Sequence, residues 1–141
     1  MKKKLCILLC GLFIVFNVSC SPALKLNEID TQINKFLDIT HAELLEVIKN
    51  KKAFIIDANG SKSYNTGHIP GAIDYAVYNG EELKSKLPEN KQQLVVCYCG
   101  SPKCPAWYKA ASEVESYGYE NIKHYKKGIK GWIKKGGPLE E

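Results

Sequence analysis

The sequence predicts an α/β fold in which a central, mostly parallel sheet is flanked by helices on both faces. Two continuous apolar runs, over residues 53–56 and 94–96, are typical of strands that are buried on both sides. Amphipathic stretches between the apolar runs, such as residues 106–117, predict helices. Strands and helices that alternate at this short spacing favour a parallel sheet, in which functional sites form beyond the carboxyl ends of strands.

The individual elements follow from local signals along the chain. Thr40 and Glu43 form a capping-box pattern that opens a helix extending to about residue 50. Pro105 suits the first position of a later helix, and Gly118 suits the turn that ends it. The remaining predicted elements are a strand over 53–57, a short strand over 72–75, a helix over 81–87, a strand over 93–98, a strand over 122–125 and a final helical segment over 129–134.

The N-terminus has the features of a targeting segment. Three lysines at positions 2–4 precede an apolar stretch over residues 5–16, which is too short for a comfortable membrane span. Val18-Ser19-Cys20 resembles the lipobox of bacterial lipoproteins, although Asn17 departs from the usual aliphatic residue. We therefore expect a signal peptide over 1–19, lipidation at Cys20 and a location in the bacterial cell envelope, with a cleaved signal without lipid or an uncleaved anchor as alternatives.

We divide the rest of the chain into a tether over residues 20–38 and one domain over residues 39–141. Apolar residues in the tether are spaced loosely as in a helix, which leaves either a short packed helix or a plain spacer. Removal of the first three lysines lowers the formal charge from +5 to +2. This near-neutral balance argues against nucleic acid as a partner, and we expect a monomer that meets the membrane through its lipid.

The six cysteines fall into three groups. Cys6 and Cys10 belong to the signal peptide, Cys20 is the expected lipidation site, and Cys97, Cys99 and Cys104 belong to the domain. Three clustered cysteines do not form the disulfide framework of a small secreted fold, although Cys99 and Cys104 are able to oxidise to each other outside the cytosol.

Cys99 is the strongest candidate for chemistry. It follows a predicted buried strand and lies in a short loop that leads into a helix. Loop amides and the helix dipole at such a position hold anions and favour thiolate over thiol. Cys104 is either a resolving thiol for Cys99 or a small residue that merely precedes Pro105. Cys97 points to the same face as Cys99, and we expect it to pack in the core.

At this point the residues resemble the rhodanese family. The stretch over residues 57–72 contains Gly-His-Ile-Pro-Gly-Ala, which resembles that family's first signature, and residues 95–99 resemble the strand leading to its active-site cysteine. Gly118-Tyr119, Gly128 and Trp132 resemble its C-terminal pattern. The resemblance covers about residues 39–139. It implies a single-domain sulfurtransferase without a cofactor, in which Cys99 takes sulfur from thiosulfate, a polysulfide or a persulfide and passes it to a thiol acceptor.

Two departures from the family pattern concern anion binding. Asn59 stands where the family usually has Arg, and Cys104 and Pro105 stand where its active-site loop usually ends in Arg or Ser followed by Ser. The chain contains no arginine, so a bidentate anion clamp is unavailable. An active-site loop of the Cys-Gly-x-Pro-x-Cys type describes a rhodanese subgroup that is closer to this sequence.

Supporting roles are assigned to residues around Cys99. We expect the loop amides from Gly100 to Cys104, including that of Ser101, to hold the donor's charge, with Lys103 either assisting or simply solvated. Asp57 is expected to fix nearby backbone amides, and His68 to make a hydrogen bond that supports the fold. His41 and His124 are predicted to be surface residues. The lysines over 123–135 are predicted to form a solvated face, with attraction to anionic lipid headgroups as the alternative.

Three hypotheses for function follow. The first and favoured one is a sulfurtransferase that carries sulfur as a persulfide on Cys99. The second is a thiol–disulfide redox protein that uses Cys99 and Cys104. The third is a non-catalytic module, whose metal-binding form would use Cys97, Cys99 and Cys104 as soft ligands for zinc or copper(I); no fourth ligand is evident, and we assign no metal.

Overall fold

Five parallel strands form a single sheet in the computed structural model, which describes residues 35–141. In spatial order β1-β5-β4-β2-β3, the sheet contains the strands β1 (Leu37–Asp38), β2 (Ala53–Asp57), β3 (Ala72–Asp74), β4 (Leu94–Tyr98) and β5 (Ile122–His124). The predictions of a signal peptide, of lipidation at Cys20 and of a helix in the tether fall on residues outside the described range.

The central strand β4 pairs with β2 on one side and with β5 on the other. In the register with β2, Asp57 is the partner of Tyr98, and in the register with β5, Cys97 is the partner of His124. Every pairing is parallel, so the carboxyl ends of these strands lie at one edge of the sheet. The predicted α/β class is confirmed.

Within residues 35–141, five helices cover the sheet: α1 (His41–Lys49), α2 (Ser61–Tyr64), α3 (Glu81–Lys86), α4 (Ala106–Ser116) and α5 (Gly128–Lys134). Alternation along β4 separates two cores. Val95 and Cys97 pack in the core that contains α3 and α4, whereas Val96 and Tyr98 pack in the core that contains α1 and α5. This alternation places helices on both faces, as the sequence predicts.

The capping box at the start of α1 forms as predicted. The Glu43 amide donates to Thr40 Oγ1 over 3.3 Å, and the Thr40 amide donates to a Glu43 carboxylate oxygen over 2.8 Å. Two donors at the helix start are thereby satisfied.

Among the described residues, no helix is both long enough and apolar enough to pass through a bilayer.

Two elements were not anticipated. Strand β1 lies within the predicted tether, where Leu37 and Asp38 pair with Lys123 and His124 of β5. Just before it, the Phe36 ring packs edge-on against Trp107 at 6.0 Å. Helix α2 lies in the loop that follows β2, and it has no side-chain cap. Both elements are too short to leave a periodic pattern in the sequence.

Candidate active site

Cys99 lies directly after β4, at the carboxyl edge of the sheet. Its side chain is buried and packs in the same core as Cys97, so both cysteines point to one face as predicted. Residues 100–105 then form a loop into α4. The arrangement of strand, loop and helix that the sequence predicts around Cys99 is therefore present.

Cys104 lies opposite Cys99 in this loop, and the two are paired as a disulfide. Their Cα atoms are 6.3 Å apart, a separation within the usual range for such a bond. Cys99 Sγ also lies 3.1 Å from the Cys104 carbonyl oxygen, which would accept a hydrogen bond from the reduced thiol. The structure thus brings together the two thiols that the sequence singles out.

The backbone amides of the loop are divided between two uses. The Cys104 amide donates to the Ser101 carbonyl over 3.0 Å and closes a turn, and Pro102 has no amide hydrogen. Within residues 35–141, the amides of Gly100, Ser101 and Lys103 donate no hydrogen bond. Of the four amide hydrogens in the expected anion cradle from Gly100 to Cys104, the turn occupies one, and the other three have no hydrogen-bond acceptor within the described residues.

The first turn of α5 supports the start of the loop from below. The Ile129 amide donates to the Cys99 carbonyl over 2.9 Å, and the Lys130 amide donates to the Gly100 carbonyl over 3.2 Å. Gly128, with a φ of +61°, makes this approach possible, because a Cβ there would lie 2.3 Å from the Cys99 carbonyl oxygen. In the sequence, the only signal for this contact is Gly128 itself, which belongs to the C-terminal pattern that resembles the rhodanese family.

Asp57 fixes the neighbouring strand ends through a buried network. One carboxylate oxygen accepts from the Asn59 amide over 2.7 Å and from Asn59 Nδ2 over 2.8 Å. The other accepts from the Tyr98 hydroxyl over 2.7 Å, and that hydroxyl accepts from the Ile69 amide over 3.0 Å. Burial raises the pKa of Asp57, although these hydrogen bonds oppose the rise. The contacts agree with the expected role of holding backbone amides.

Asn59 lies close to the active-site loop. A Cβ on Gly100 would be 3.0 Å from Asn59 Oδ1. The position that carries Arg in the family pattern is thus occupied here by an amide that is bonded to Asp57. An anionic donor would meet backbone amides in this loop rather than a guanidinium.

His68 makes contacts that support the fold, as expected from the sequence. Its ring stacks on Tyr64 with 3.7 Å between centroids, and Nδ1 lies 3.0 Å from the Tyr64 carbonyl oxygen. The backbone of His68 also forms an antiparallel bridge with Glu140. These contacts tie the loop before β3 to the C-terminal segment.

The prediction that His124 is a surface residue is wrong. The side chain is 6% exposed, stacks on Trp107 with 3.6 Å between centroids, and places Nδ1 3.4 Å from a carboxylate oxygen of Asp38. Burial lowers the pKa of His124 to about 4, although Asp38 acts in the opposite direction. His124 and Trp107 form part of the wall beside the loop, in a cleft of about 260 Å³ that Pro102 also lines.

His41 is also less exposed than expected. It is half-buried against Trp132, with 4.8 Å between centroids, and its Nδ1 lies 3.0 Å from the Tyr125 hydroxyl. Burial and the nearby charge of Lys135 lower the pKa of His41.

The remaining predicted site residues lie apart from these networks. Lys103 is exposed at the tip of the loop. Cys97 is fully buried, and burial raises the pKa of its thiol, in agreement with the expected core position. Across residues 35–141, no three His, Cys, Asp or Glu side chains are grouped so that they could hold a metal ion. The geometry gives no support to the metal alternative.

Known proteins are similar to this chain in both sequence and fold. It is 31% identical over 104 residues to an HTH-type transcriptional regulator of Mycobacterium tuberculosis, which covers 73% of this chain and 44% of the regulator. It is 27% identical over 97 residues to the thiosulfate sulfurtransferase GlpE of Pseudoalteromonas translucida, which covers 69% of this chain and 89% of that protein. The chain spans less than half the length of the first curated relatives that it matches.

A solved structure and a family model also match this chain. A rhodanese-related protein from Thermoplasma volcanium superimposes with a TM-score of 0.55 at 25% identity, covering 74% of this chain and 98% of that one. The family model of the rhodanese-like domain matches residues 40–135. This range includes β4 and the loop that carries Cys99 and Cys104. The chain therefore belongs to the rhodanese-like domain family.

Proposed function

We propose that this chain is a sulfurtransferase that carries sulfane sulfur as a persulfide on Cys99. The observation that carries the proposal is the position of Cys99, at the carboxyl end of β4 and at the start of a loop in which the amides of Gly100, Ser101 and Lys103 donate no hydrogen bond within the described residues. Backbone amides at such a position stabilise a thiolate and the anionic persulfide that replaces it. Similarity to thiosulfate sulfurtransferases supports the same chemistry.

Sulfur loading begins from the reduced protein. The Cys99 thiolate attacks the outer sulfur of thiosulfate, the bond between the two sulfur atoms of the donor breaks, and sulfite leaves with the bonding electrons. Cys99 then carries an anionic persulfide. The amides of Gly100, Ser101 and Lys103 stabilise the negative charge at each stage, since the chain has no arginine to do so.

In the transfer step Cys99 is the leaving group, whereas in the loading step it is the nucleophile. The thiolate of a small-molecule or protein acceptor attacks the outer sulfur of the persulfide, and Cys99 leaves as a thiolate. The acceptor thus becomes a persulfide, and no external oxidant or reductant is needed. In the disulfide form Cys99 has no free thiolate, so an external thiol must reduce the bond to Cys104 before sulfur loading begins.

A single-turnover assay tests the proposal. The reduced chain is mixed with thiosulfate under anaerobic conditions, and sulfite is measured. We expect about one sulfite per chain, a complete loss in Cys99→Ser and an unchanged yield in the matched variant Cys97→Ser. Sulfite release that survives in Cys99→Ser would overturn the assignment.

A second candidate function rests on the pairing of Cys99 with Cys104. The Cys104 thiolate can attack Sγ of a persulfide on Cys99, which forms the disulfide and releases the outer sulfur as hydrosulfide. The two thiols are oxidised, the outer sulfur is reduced, and an external thiol must then reduce the disulfide. Sulfide released by the parent chain but not by Cys104→Ser would establish this route, whereas equal turnover in both would exclude it.

We further propose that the chain is a monomer attached to the bacterial cell envelope by a lipid on Cys20, with no nucleic-acid partner. The lipobox-like residues before Cys20 support the attachment. Labelled fatty acid should be incorporated into the chain in cells and should be lost in Cys20→Ser. Incorporation that persists in this variant would contradict the assignment.

A further inference from the structure

The C-terminal end of the domain carries a concentrated positive charge. Residues 121–139 contain six lysines and no acidic residue, whereas the other described residues contain ten lysines and thirteen acidic residues. Five of the six are exposed, and we call them the lysine face: Lys126, Lys127, Lys130, Lys134 and Lys135. The charge of the domain is therefore strongly asymmetric, although its net charge is small.

Little on the protein itself neutralises the lysine face. Within residues 35–141, the only ion pair made by these five lysines joins Lys126 to Asp38, at 3.9 Å. A cleft of about 310 Å³ is lined by Lys126, Lys127 and Lys135 together with Asp38. Exposed aliphatic side chains accompany the charges, since Ile133 is 53% exposed on the same helix and Leu139 is 45% exposed after it. Lysines interspersed with exposed aliphatic residues are typical of surfaces that contact lipid headgroups.

The path of the chain places this face beside the N-terminal segment. Strand β1 pairs with β5, so Leu37 lies next to Lys123 just before the lysine face begins. The N-terminal segment therefore joins the domain at the edge strand that adjoins this face. About 15 residues separate Cys20 from Lys35, and they can span at most about 50 Å. A lipid on Cys20 would keep the lysine face within reach of a bilayer.

We propose that the lysine face docks on the anionic phospholipid headgroups of the membrane. Lysines close to a bilayer surface are attracted to anionic headgroups, and the lysine face adjoins the segment that leads to Cys20. The exposed aliphatic side chains of Ile133 and Leu139 favour a lipid surface over nucleic acid. The first turn of α5 donates hydrogen bonds to the start of the loop that contains Cys99. Docking of the lysine face therefore holds the candidate active site close to the bilayer.

Lysine footprinting tests the docking directly. The full chain is mixed with vesicles of phosphatidylcholine alone, or with added phosphatidylglycerol, and treated with a water-soluble acylating reagent. We expect the five lysines to react at least about tenfold more slowly on anionic vesicles, with recovery in high salt. Lys62 and Lys91, which are exposed elsewhere, should react equally on both. Equal reactivity of the five lysines on both vesicles would overturn the proposal.

Charge-reversal variants separate docking from simple attachment. Lys127→Glu/Lys134→Glu should lower partition onto anionic vesicles by about 30-fold, at about 1 kcal/mol for each lysine lost. The matched control Lys62→Glu/Lys91→Glu should leave partition near its original value. An equal effect of both pairs, or protection of the lysine face by added RNA but not by anionic vesicles, would contradict docking on lipid. Neither measurement depends on sulfur transfer by Cys99.

Discussion

Gly128→Ala offers a stringent test of how α5 supports the active-site loop. A Cβ at this position would lie 2.3 Å from the Cys99 carbonyl oxygen, 2.7 Å from the Ser101 amide nitrogen and 2.8 Å from the Gly100 carbonyl carbon. All three are backbone atoms, so rotation of a side chain cannot relieve the clash. The loop must move away from α5, which lengthens the hydrogen bonds from the Ile129 and Lys130 amides.

The magnitude can be separated into two parts with a matched control. Gly118 also has a positive φ, of +88°, but nothing lies within 4 Å of a Cβ built there. Gly118→Ala should therefore lower the free energy of unfolding by about 1 kcal/mol, from backbone strain alone. Gly128→Ala adds the overpacking and the weakened hydrogen bonds, and we expect a total loss of about 3–5 kcal/mol.

Two assays check this prediction. Urea unfolding should rank the parent chain, Gly118→Ala and Gly128→Ala in decreasing order of stability. The rate of single-turnover sulfite release, measured under conditions in which all three proteins are folded, should fall about 100-fold in Gly128→Ala alone. Displacement of the loop moves Cys99 and the loop amides out of position. Equal stability of the two variants, or full sulfite release from Gly128→Ala, would refute the supporting role of α5.

Three further predictions concern buried groups. Burial lowers the pKa of His124 from 6.5 to about 4, so the unfolded chain takes up the extra proton first as the pH falls. Stability should drop by about 2 kcal/mol between pH 7 and pH 4.5, and urea titrations of His124→Gln should lose most of this dependence. Tyr98→Phe leaves Asp57 Oδ2 and the Ile69 amide without their hydrogen-bond partner and should cost about 3 kcal/mol in urea unfolding; unchanged stability would contradict the network. Iodoacetamide should label Cys97 only when the chain unfolds, and rapid labelling of the folded chain would contradict its burial.

The elements that carry the site could be predicted because each leaves a local signal. The apolar run that forms β4 and the amphipathic pattern of α4 place Cys99 between a strand end and a helix start. Strand β1 could not be predicted in this way. It has two residues, and its pairing with β5 depends on a register set by the folded domain rather than by its own side chains.

Contacts between distant segments account for most of what the sequence left open. The contact between Gly128 and Cys99 joins residues that are far apart in the chain and depends on where α5 begins. The burial of His124 does have a signal in the sequence: in β5, Ile122 and His124 are two residues apart and share the buried face. The spacing of Cys99 and Cys104 permits a disulfide without requiring it, because the path of the loop decides their distance.

The measurement that tests the central claim most directly is the mass of the reduced chain after anaerobic treatment with thiosulfate. We predict a gain of about 32 Da, localised by peptide mapping to Cys99, which disappears in Cys99→Ser and persists in Cys97→Ser and Cys104→Ser. Absence of this gain, or a gain that remains in Cys99→Ser, would contradict the account. A loss of about 2 Da that requires both Cys99 and Cys104 would instead make the disulfide the centre of the chemistry.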